Sequence, residues 1–321
     1  MNDCYFVVER AGIYTTFQDS GYDLLQHLGI TTGGVVDNNL FKIANKLLGN
    51  NLNETIIEFA YQGPRLRLEK GNAHIVITGD VHFTISKKSE NFSAIIGKSF
   101  NTYQLKEGDI IDILATKSSV YGYFGIEGGF NIDKYNNSGS TLVRSAIGPN
   151  DGKNIKENQL IKSNFKNKNR TVNQLSYLSD NKDNTIRVLE GPQIGFFSSK
   201  TIKSFFESPF KISNNTDRMG IRLEGNEILS INSPNIPSEG IVKGSVQIPG
   251  DGNPIVLMVD HPTIGGYPKI ATVILSDIAK LAQLSVGKEI QFQKVSLQIA
   301  EKLYDNNKKY LNQLLQSIKQ I

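Results

Sequence analysis

The strongest constraint in this 321-residue chain is a recurrence of strand-sized apolar runs, rich in β-branched and aromatic residues and bounded by Gly, Asn or Asp. They fall at residues 5–8, 74–78, 110–114 and 120–126, and after a gap at 186–189, 241–248, 255–259, 270–275 and 290–295. Runs this short bury a face only by pairing with one another. Many short strands joined by glycine turns predict a mainly β architecture of barrels or sandwiches and disfavour a doubly wound parallel sheet.

Three segments carry helical signals. The clearest opens at Asp37 or Asn38 as N-cap, places Leu40, Ile43, Ala44, Leu47 and Leu48 on one face, and stops at Gly49. Residues 276–284 carry Ile278, Leu281 and Ala282 at helical spacing before Gly287. Near the C-terminus, Leu311, Leu314, Leu315 and Ile318 form an apolar stripe opposite Lys308, Lys309 and Lys319, which predicts a helix docked on its own protein.

The length suits two domains of roughly 100–200 residues. Residues 151–185 turn Asn- and Lys-rich, so the break is expected at about residue 180. The expected division is a β domain over 1–180, a second over 181–298 and a helical tail over 299–321.

Hydrophobic residues make up 39%, with 16 Phe and 12 Tyr, enough to build a core. A charge of +4 from 35 basic and 31 acidic residues is too balanced to attract a polyanion, so no nucleic-acid partner is expected. The one cysteine, Cys4, cannot close an intramolecular disulfide or complete a zinc set and fits a reducing compartment. The first twenty residues lack a basic start followed by an apolar run, and no stretch approaches the apolar length of a membrane span; a cytoplasmic protein is expected.

No GxxxxGK[ST] is present, and GPNDGK at 148–153 has the wrong spacing for one. GxGxxG, GxSxG, HExxH and the EF-hand pattern are missing too, and His27, His74, His82 and His261 lack metal-ligand spacing, so no metal site is expected. His74 and His82 flank a turn at Gly79-Asp80, where a cross-strand pair is expected.

Two segments combine polar groups with glycine. In TTGGVVD, residues 31–37, Gly33 and Gly34 permit positive φ and close approach to a ligand, and the N–H groups suit an anion beside the helix start. A tight turn ending in an Asp37 cap fits the same residues. In residues 238–274, a buried strand ends at Asp260, a loop with Thr263, Gly265, Gly266 and Tyr267 follows, and Gln247 stands on the neighbouring strand. That grouping suits a small polar ligand. The alternative is a glycine-rich connection with Tyr267 in the core and Asp260 holding turn amides.

In DRMGIRLEG, Arg218 and Arg222 share one face if the segment is a strand, where two guanidinium groups can grip a carboxylate or phosphate. Salt bridges to Asp217 and Glu224 are the alternative. Glu58, within IIEF, is a strand carboxylate that either sits half-buried or pairs with Arg65.

The spelling V-x-G-x-x-Q-I-P-x-D-G-x-P-I-V-L-M-x-D, then T-x-G-G-Y-P-K-I, spans residues 242–270. With TTFQDSGY, GITTGGVVD, ANKLLGN, IIEF, GIEGGF, SGST, RVLEGPQ and DRMGIRLEG it resembles the family of the 5-oxoprolinase C subunit, in that family's order over about residues 5–295. The family is also called allophanate hydrolase subunit 2 or biotin-dependent carboxyltransferase.

The resemblance implies two linked cyclophilin-like β-barrel domains. It also implies a component that works with the A and B subunits of the same enzyme to open 5-oxoproline to L-glutamate at the expense of ATP. ATP with Mg²⁺ is then the expected cofactor, bound here or shared with a partner subunit. Within this reading Asp260 and Glu58 handle protons or Mg²⁺, while Gly33, Gly34, Asp37, Arg218, Arg222, Gln247, Thr263, Gly265, Gly266 and Tyr267 surround the substrate. Two further activities occur among such proteins: a carboxyltransferase component acting on urea or a related amide with a separate biotin carrier, and a regulator of a sporulation kinase inhibitor. This chain departs from the family spelling at Pro262 and Ile264, which replace Gln and Thr, in lacking the Arg of G-S-R-S-T at residues 137–141, and at Lys243, a usually neutral position.

Overall fold

The structure, a computed structural model, describes residues 4–164, 173–176, 183–231 and 233–320. The chain divides into two units, Met1–Gly21 with Asp37–Leu178 and Leu311–Ile321, and Tyr22–Val36 with Ser179–Tyr310. The boundary expected at residue 180 itself lies outside the described residues. The excursion Tyr22–Val36, which carries Gly33 and Gly34, belongs with the second unit, whereas Asp37 belongs with the first.

In the first unit, two antiparallel sheets share one core. The six-stranded sheet runs Leu160–Ser163, Cys4–Arg10, Arg65–Lys70, Ile110–Thr116, Val81–Ser86, Ala94–Ile96. The five-stranded sheet runs Thr16–Gln18, Ile56–Ala60, Tyr121–Ile126, Asn72–Thr78, Thr102–Lys106. Alternation decides which side chains go inward: in Arg65–Lys70, Leu66 and Leu68 are fully buried while Arg65 and Arg67 face outward to Glu9. Phe6, Leu66, Phe83 and Ile111 from one sheet meet Ile57, Phe59, Ile75 and Phe124 from the other in a single apolar cluster.

Helix Asn38–Leu47 starts and ends as its sequence predicts. Asp37 accepts hydrogen bonds from Asn39 N and Leu40 N at 3.1 Å each, a cap worth about 1 kcal/mol. Gly49 just beyond takes φ +61°. Leu40, Ile43, Ala44 and Leu47 are buried against strands Asn72–Thr78 and Tyr121–Ile126.

The expected His74–His82 pair does not form, because the turn at Gly79-Asp80 carries the chain from one sheet to the other. His74 lies opposite Gln104 in the five-stranded sheet, and His82 opposite Ala115 in the six-stranded one.

The second unit is a closed barrel of seven strands in the order Thr185–Glu190, Lys269–Val273, Ser245–Gln247, Ile255–Leu257, Gly220–Glu224, Phe210–Thr216, Glu289–Lys294. The last strand closes on the first in parallel, and the other pairings are antiparallel. Ile186, Val188, Phe210, Leu223, Val246, Val256, Ile270 and Phe292 are buried in this unit. Helix Ser199–Glu207, capped by Ser198, lays Phe205 flat on Phe292 with centroids 4.7 Å apart, an aromatic contact worth about 1 kcal/mol beyond its buried area.

Helix Leu275–Ala282 forms where the spacing predicts, and its buried Asp277 accepts from Arg187 N and Nε at 2.8 and 2.9 Å. The C-terminal helix is Leu297–Gln316, with Leu311 and Leu315 buried and Lys308 and Lys309 exposed; the Lys319 side chain lies outside the described ones. The chain is thus mainly β, with two β units, few short helices and a C-terminal helix, as expected. Among the described residues no helix is long and apolar enough to cross a membrane.

Candidate functional site

The densest polar geometry sits in the second unit, just past the carboxyl end of strand Ile255–Leu257. There residues 258–260 run beside the segment leading into strand Gly220–Glu224. Met258 N donates to Met219 O at 2.9 Å and Asp260 N to Arg218 O at 2.8 Å. Asp217 Oδ1 accepts from Met219 N and Gly220 N, a local turn that starts the strand and turns Arg218 out of it. Arg218 then grips Asp260 with Nε and Nη2 and also donates from Nη2 to Gly34 O at 2.7 Å.

The glycine turn is stapled to the same place. Gly33 N donates to Val259 O at 3.0 Å, and Thr31 Oγ1 donates to that carbonyl at 3.1 Å. Gly33 and Gly34 take φ +57° and +81°, the left-handed region that favours glycine. Gly33, Gly34, Arg218 and Asp260 are therefore brought together. The anion cradle expected of residues 31–37 is corrected, since the Gly33 amide is engaged by Val259 and Asp37 caps its own helix.

Two basic side chains missed as site residues, Lys243 and His261, lie at this end. Lys243 stands in a turn held by the 2.8 Å bond from Gly244 N to Leu257 O. It is half-buried, and burial, then the Arg218 charge, pushes its pKa down. His261 is buried with Nδ1 2.6 Å from Pro262 O, and burial foremost lowers its pKa. Lys243 was visible in the sequence only as an unusual charge, and His261 gave no spacing signal.

Gln247, Thr263, Gly265 and Gly266 gather around a different set of contacts. Gln247 is buried and its Nε2 has no hydrogen-bond partner among the described residues. A Cβ on Gly265 would lie 2.5 Å from that nitrogen. The loop is held by its own backbone, with Thr263 O accepting from Ile241 N at 3.2 Å and Gly266 O from Ile236 N at 2.8 Å. Nearby, Glu239 accepts from the buried Lys269 ammonium and from Gln193 Nε2, and Lys269 foremost lowers the Glu239 pKa.

Three expectations are corrected here. Arg218 and Arg222 do not form a clamp: the strand begins at Gly220, and Arg222 lies exposed opposite Ile255 while Arg218 is folded onto Asp260. Asp260 is not a free carboxylate, because both its oxygens are taken by Arg218. Tyr267 is 39% exposed and stands on the surface, not in the core.

In the first unit, Glu58 is buried opposite Tyr123 on paired strands, and Tyr123 Oη accepts from Asp37 N at 2.8 Å. Burial first, then the Glu58 and Asp37 carboxylates, pushes the Tyr123 phenol pKa well up. Of the two readings left open for Glu58, burial is the one observed, while Arg65 binds Glu9 and Asp112, each at 2.9 Å.

Asp19 was also missed. Its Oδ1 accepts from Gly21 N at 2.9 Å and from Ser138 Oγ and Ser140 Oγ at 2.7 Å each, and its Oδ2 accepts from Gly139 N at 2.5 Å. The signal was that both partners lie in segments that carry the family spelling.

A glycine turn, a buried Arg–Asp pair and the partly buried Lys243 stand at a strand end of a closed barrel, in a mainly β protein. The chain belongs to the carboxyltransferase domain family, subdomains A and B, whose family model matches residues 28–294. It is 32% identical to the 5-oxoprolinase C subunit of Haemophilus influenzae, over 93% of this chain and 94% of that protein. It is 30% identical to the 5-oxoprolinase C subunit of Escherichia coli, over 95% and 96%. Among solved structures, the Kluyveromyces lactis urea carboxylase superposes with a TM-score of 0.86 at 26% identity, covering 98% of this chain and 29% of that longer one.

Proposed function

We propose that this chain is the C subunit of an ATP-dependent 5-oxoprolinase, acting with the A and B subunits in the cytoplasm to open 5-oxoproline to L-glutamate. The observation that carries this reading is the near end-to-end likeness to two proteins named as the C subunit of 5-oxoprolinase, covering 94% and 96% of their lengths. The free, buried Cys4 fits a reducing compartment.

In this reading the substrate meets the Gly33-Gly34, Arg218 and Asp260 end of the barrel. Asp260 fixes the Arg218 guanidinium, which holds the glycine turn through Gly34 O. Gln247 offers an unpaired amide donor for a carbonyl. Glu58 keeps in this reading its expected role as a proton-handling carboxylate of the first unit.

Two of the carboxylates expected around the substrate or Mg²⁺ are already engaged within this chain. Asp260 is spent on Arg218 and Asp37 on its helix. Among the described residues no group of three or more His, Cys, Asp or Glu is placed to hold a metal ion. In this reading ATP with Mg²⁺ is bound by, or shared with, a partner subunit.

The test is reconstitution of this chain with the A and B subunits and an assay for ATP-dependent glutamate release from 5-oxoproline. Turnover by the three together and none by this chain alone is expected; a folded three-part mixture that releases no glutamate overturns the proposal. The likeness to urea carboxylase favours a second reading, a carboxyltransferase component acting on urea or a related amide with a separate biotin carrier. Consumption of carboxybiotin by the mixture in the presence of urea would replace the first reading with that one.

A further inference from the structure

Gln247 is only 6% exposed, and its buried Nε2 has no hydrogen-bond partner among the described residues. A donor withdrawn from water in this way is costly, and a ligand that brings an acceptor removes the cost. The strand register sets its surroundings. Gln247 stands opposite Lys269 on paired strands of the barrel, just past a bulge after Val246, so the two side chains leave the sheet on one side. Lys269 is buried too, and its ammonium donates to Glu239 Oε1, which also accepts from Gln193 Nε2 at 2.9 Å. The Gln193 side chain is used at both ends, since its Oε1 accepts from Lys269 N at 3.2 Å.

Glu239 in turn pairs with Gly265 in a short ribbon made of Glu239–Gly240 and Ile264–Gly265. This ribbon covers the Gln247 amide: a Cβ on Gly265 would stand 2.5 Å from Nε2 and 3.0 Å from Ile241 Cδ1. Residues 237–240 are exposed, so the cover has water on its outer side.

The barrel thus supplies a hydrogen-bond donor and the ribbon an acceptor. Both hydrogen bonds to Glu239 fall on Oε1, which leaves Oε2 to accept. Lys269 already has its counter-charge in Glu239, so this pair does not call for an ionic ligand. A donor with an acceptor matches an amide whose C=O and N–H point the same way, as they do in a lactam, a primary amide or urea. A trans secondary amide turns them apart.

We propose that a neutral amide of this kind binds between ribbon and barrel, its carbonyl accepting from Gln247 Nε2 and its N–H donating to Glu239 Oε2, with the ribbon moving aside to admit it. The identity of that amide as the lactam of 5-oxoproline rests on the function proposed above; recognition of the amide edge rests on these residues alone.

The test uses the full chain and four probes at fixed ionic strength: pyrrolidin-2-one, acetamide, N-methylpyrrolidin-2-one and acetate. Binding is read by ligand-observed saturation-transfer NMR and stability by thermal unfolding. Pyrrolidin-2-one and acetamide are expected to bind the wild type. N-methylpyrrolidin-2-one, which lacks the N–H, and acetate, which has no N–H and meets the Glu239 charge, are expected to bind at least about tenfold more weakly. Gln247→Met is expected to weaken both amides at least about tenfold while melting no lower than the wild type, because an unpaired buried donor is removed. Gly265→Ala, which sets a methyl against Nε2 without a left-handed backbone to strain it, is expected to weaken them as well.

Amide affinity unchanged in both variants overturns the proposal, as does equal binding of pyrrolidin-2-one and its N-methyl form, or a wild type that binds neither amide. If the amides bind through Gln247 while the reconstituted enzyme releases no glutamate, the amide site stands and only the 5-oxoprolinase reading falls.

Discussion

Arg218 holds Asp260 through two parallel hydrogen bonds, 2.8 Å from Nε to Oδ2 and 2.9 Å from Nη2 to Oδ1, with side chains only 10% and 15% exposed. This bidentate geometry joins the turn before one barrel strand to the turn after another. Removing either member leaves the other charge poorly solvated. Arg218→Met and Asp260→Asn are each expected to lose about 3 kcal/mol of stability by urea denaturation. The double replacement Arg218→Met with Asp260→Asn should cost clearly less than the sum of the singles; strict additivity would mean the pair is not coupled.

Asp19 is a clamp between the chain near residue 20 and residues 138–140, receiving two backbone amides and two serine hydroxyls. Asp19→Ala should destabilise the protein by about 3 kcal/mol, since hydrogen bonds to a charged acceptor are lost and buried donors are orphaned. Chemical denaturation reads this directly, and a loss within about 0.5 kcal/mol would show that the clamp carries little.

The His261 ring has a folded-state pKa below its ordinary value of 6.5. Between the lowered value and the ordinary one, the unfolded chain binds more protons than the folded chain, so stability falls as pH drops through that window. His261→Gln should flatten this part of the profile, read as Tm from about pH 5 to 7.5. An unchanged slope would assign the acid sensitivity in this window to other groups.

Gly244→Ala meets two obstacles at once, a backbone at φ +89° and a Cβ 2.7 Å from Val273 O. A loss of about 2 kcal/mol in thermal or chemical unfolding is expected.

How much of this was legible in the sequence varies by element. The helix Asn38–Leu47 was legible at both ends, because a cap and a stop glycine act within a turn of the helix they bound. Strand Asn72–Thr78 was legible for the same reason of short range, from the apolar run at residues 74–78. The pairing of Arg218 was not. Its near neighbours Asp217 and Glu224 were the obvious partners by distance along the chain, yet Asp217 is engaged with backbone amides and the guanidinium reaches a carboxylate 42 positions away. Lys243 was visible as an unexpected charge, but its place near Arg218 was not.

The sequence by itself determined the strand periodicity, the helix caps and the positions where only glycine suits the backbone, since each depends on residues a few places apart. Only the tertiary structure decided that Gly34, Arg218 and Asp260 share one place, with 184 positions separating the first two. Closing the barrel sets those neighbours, and 31 acidic residues distributed along a chain carry no mark of which one a given arginine will meet.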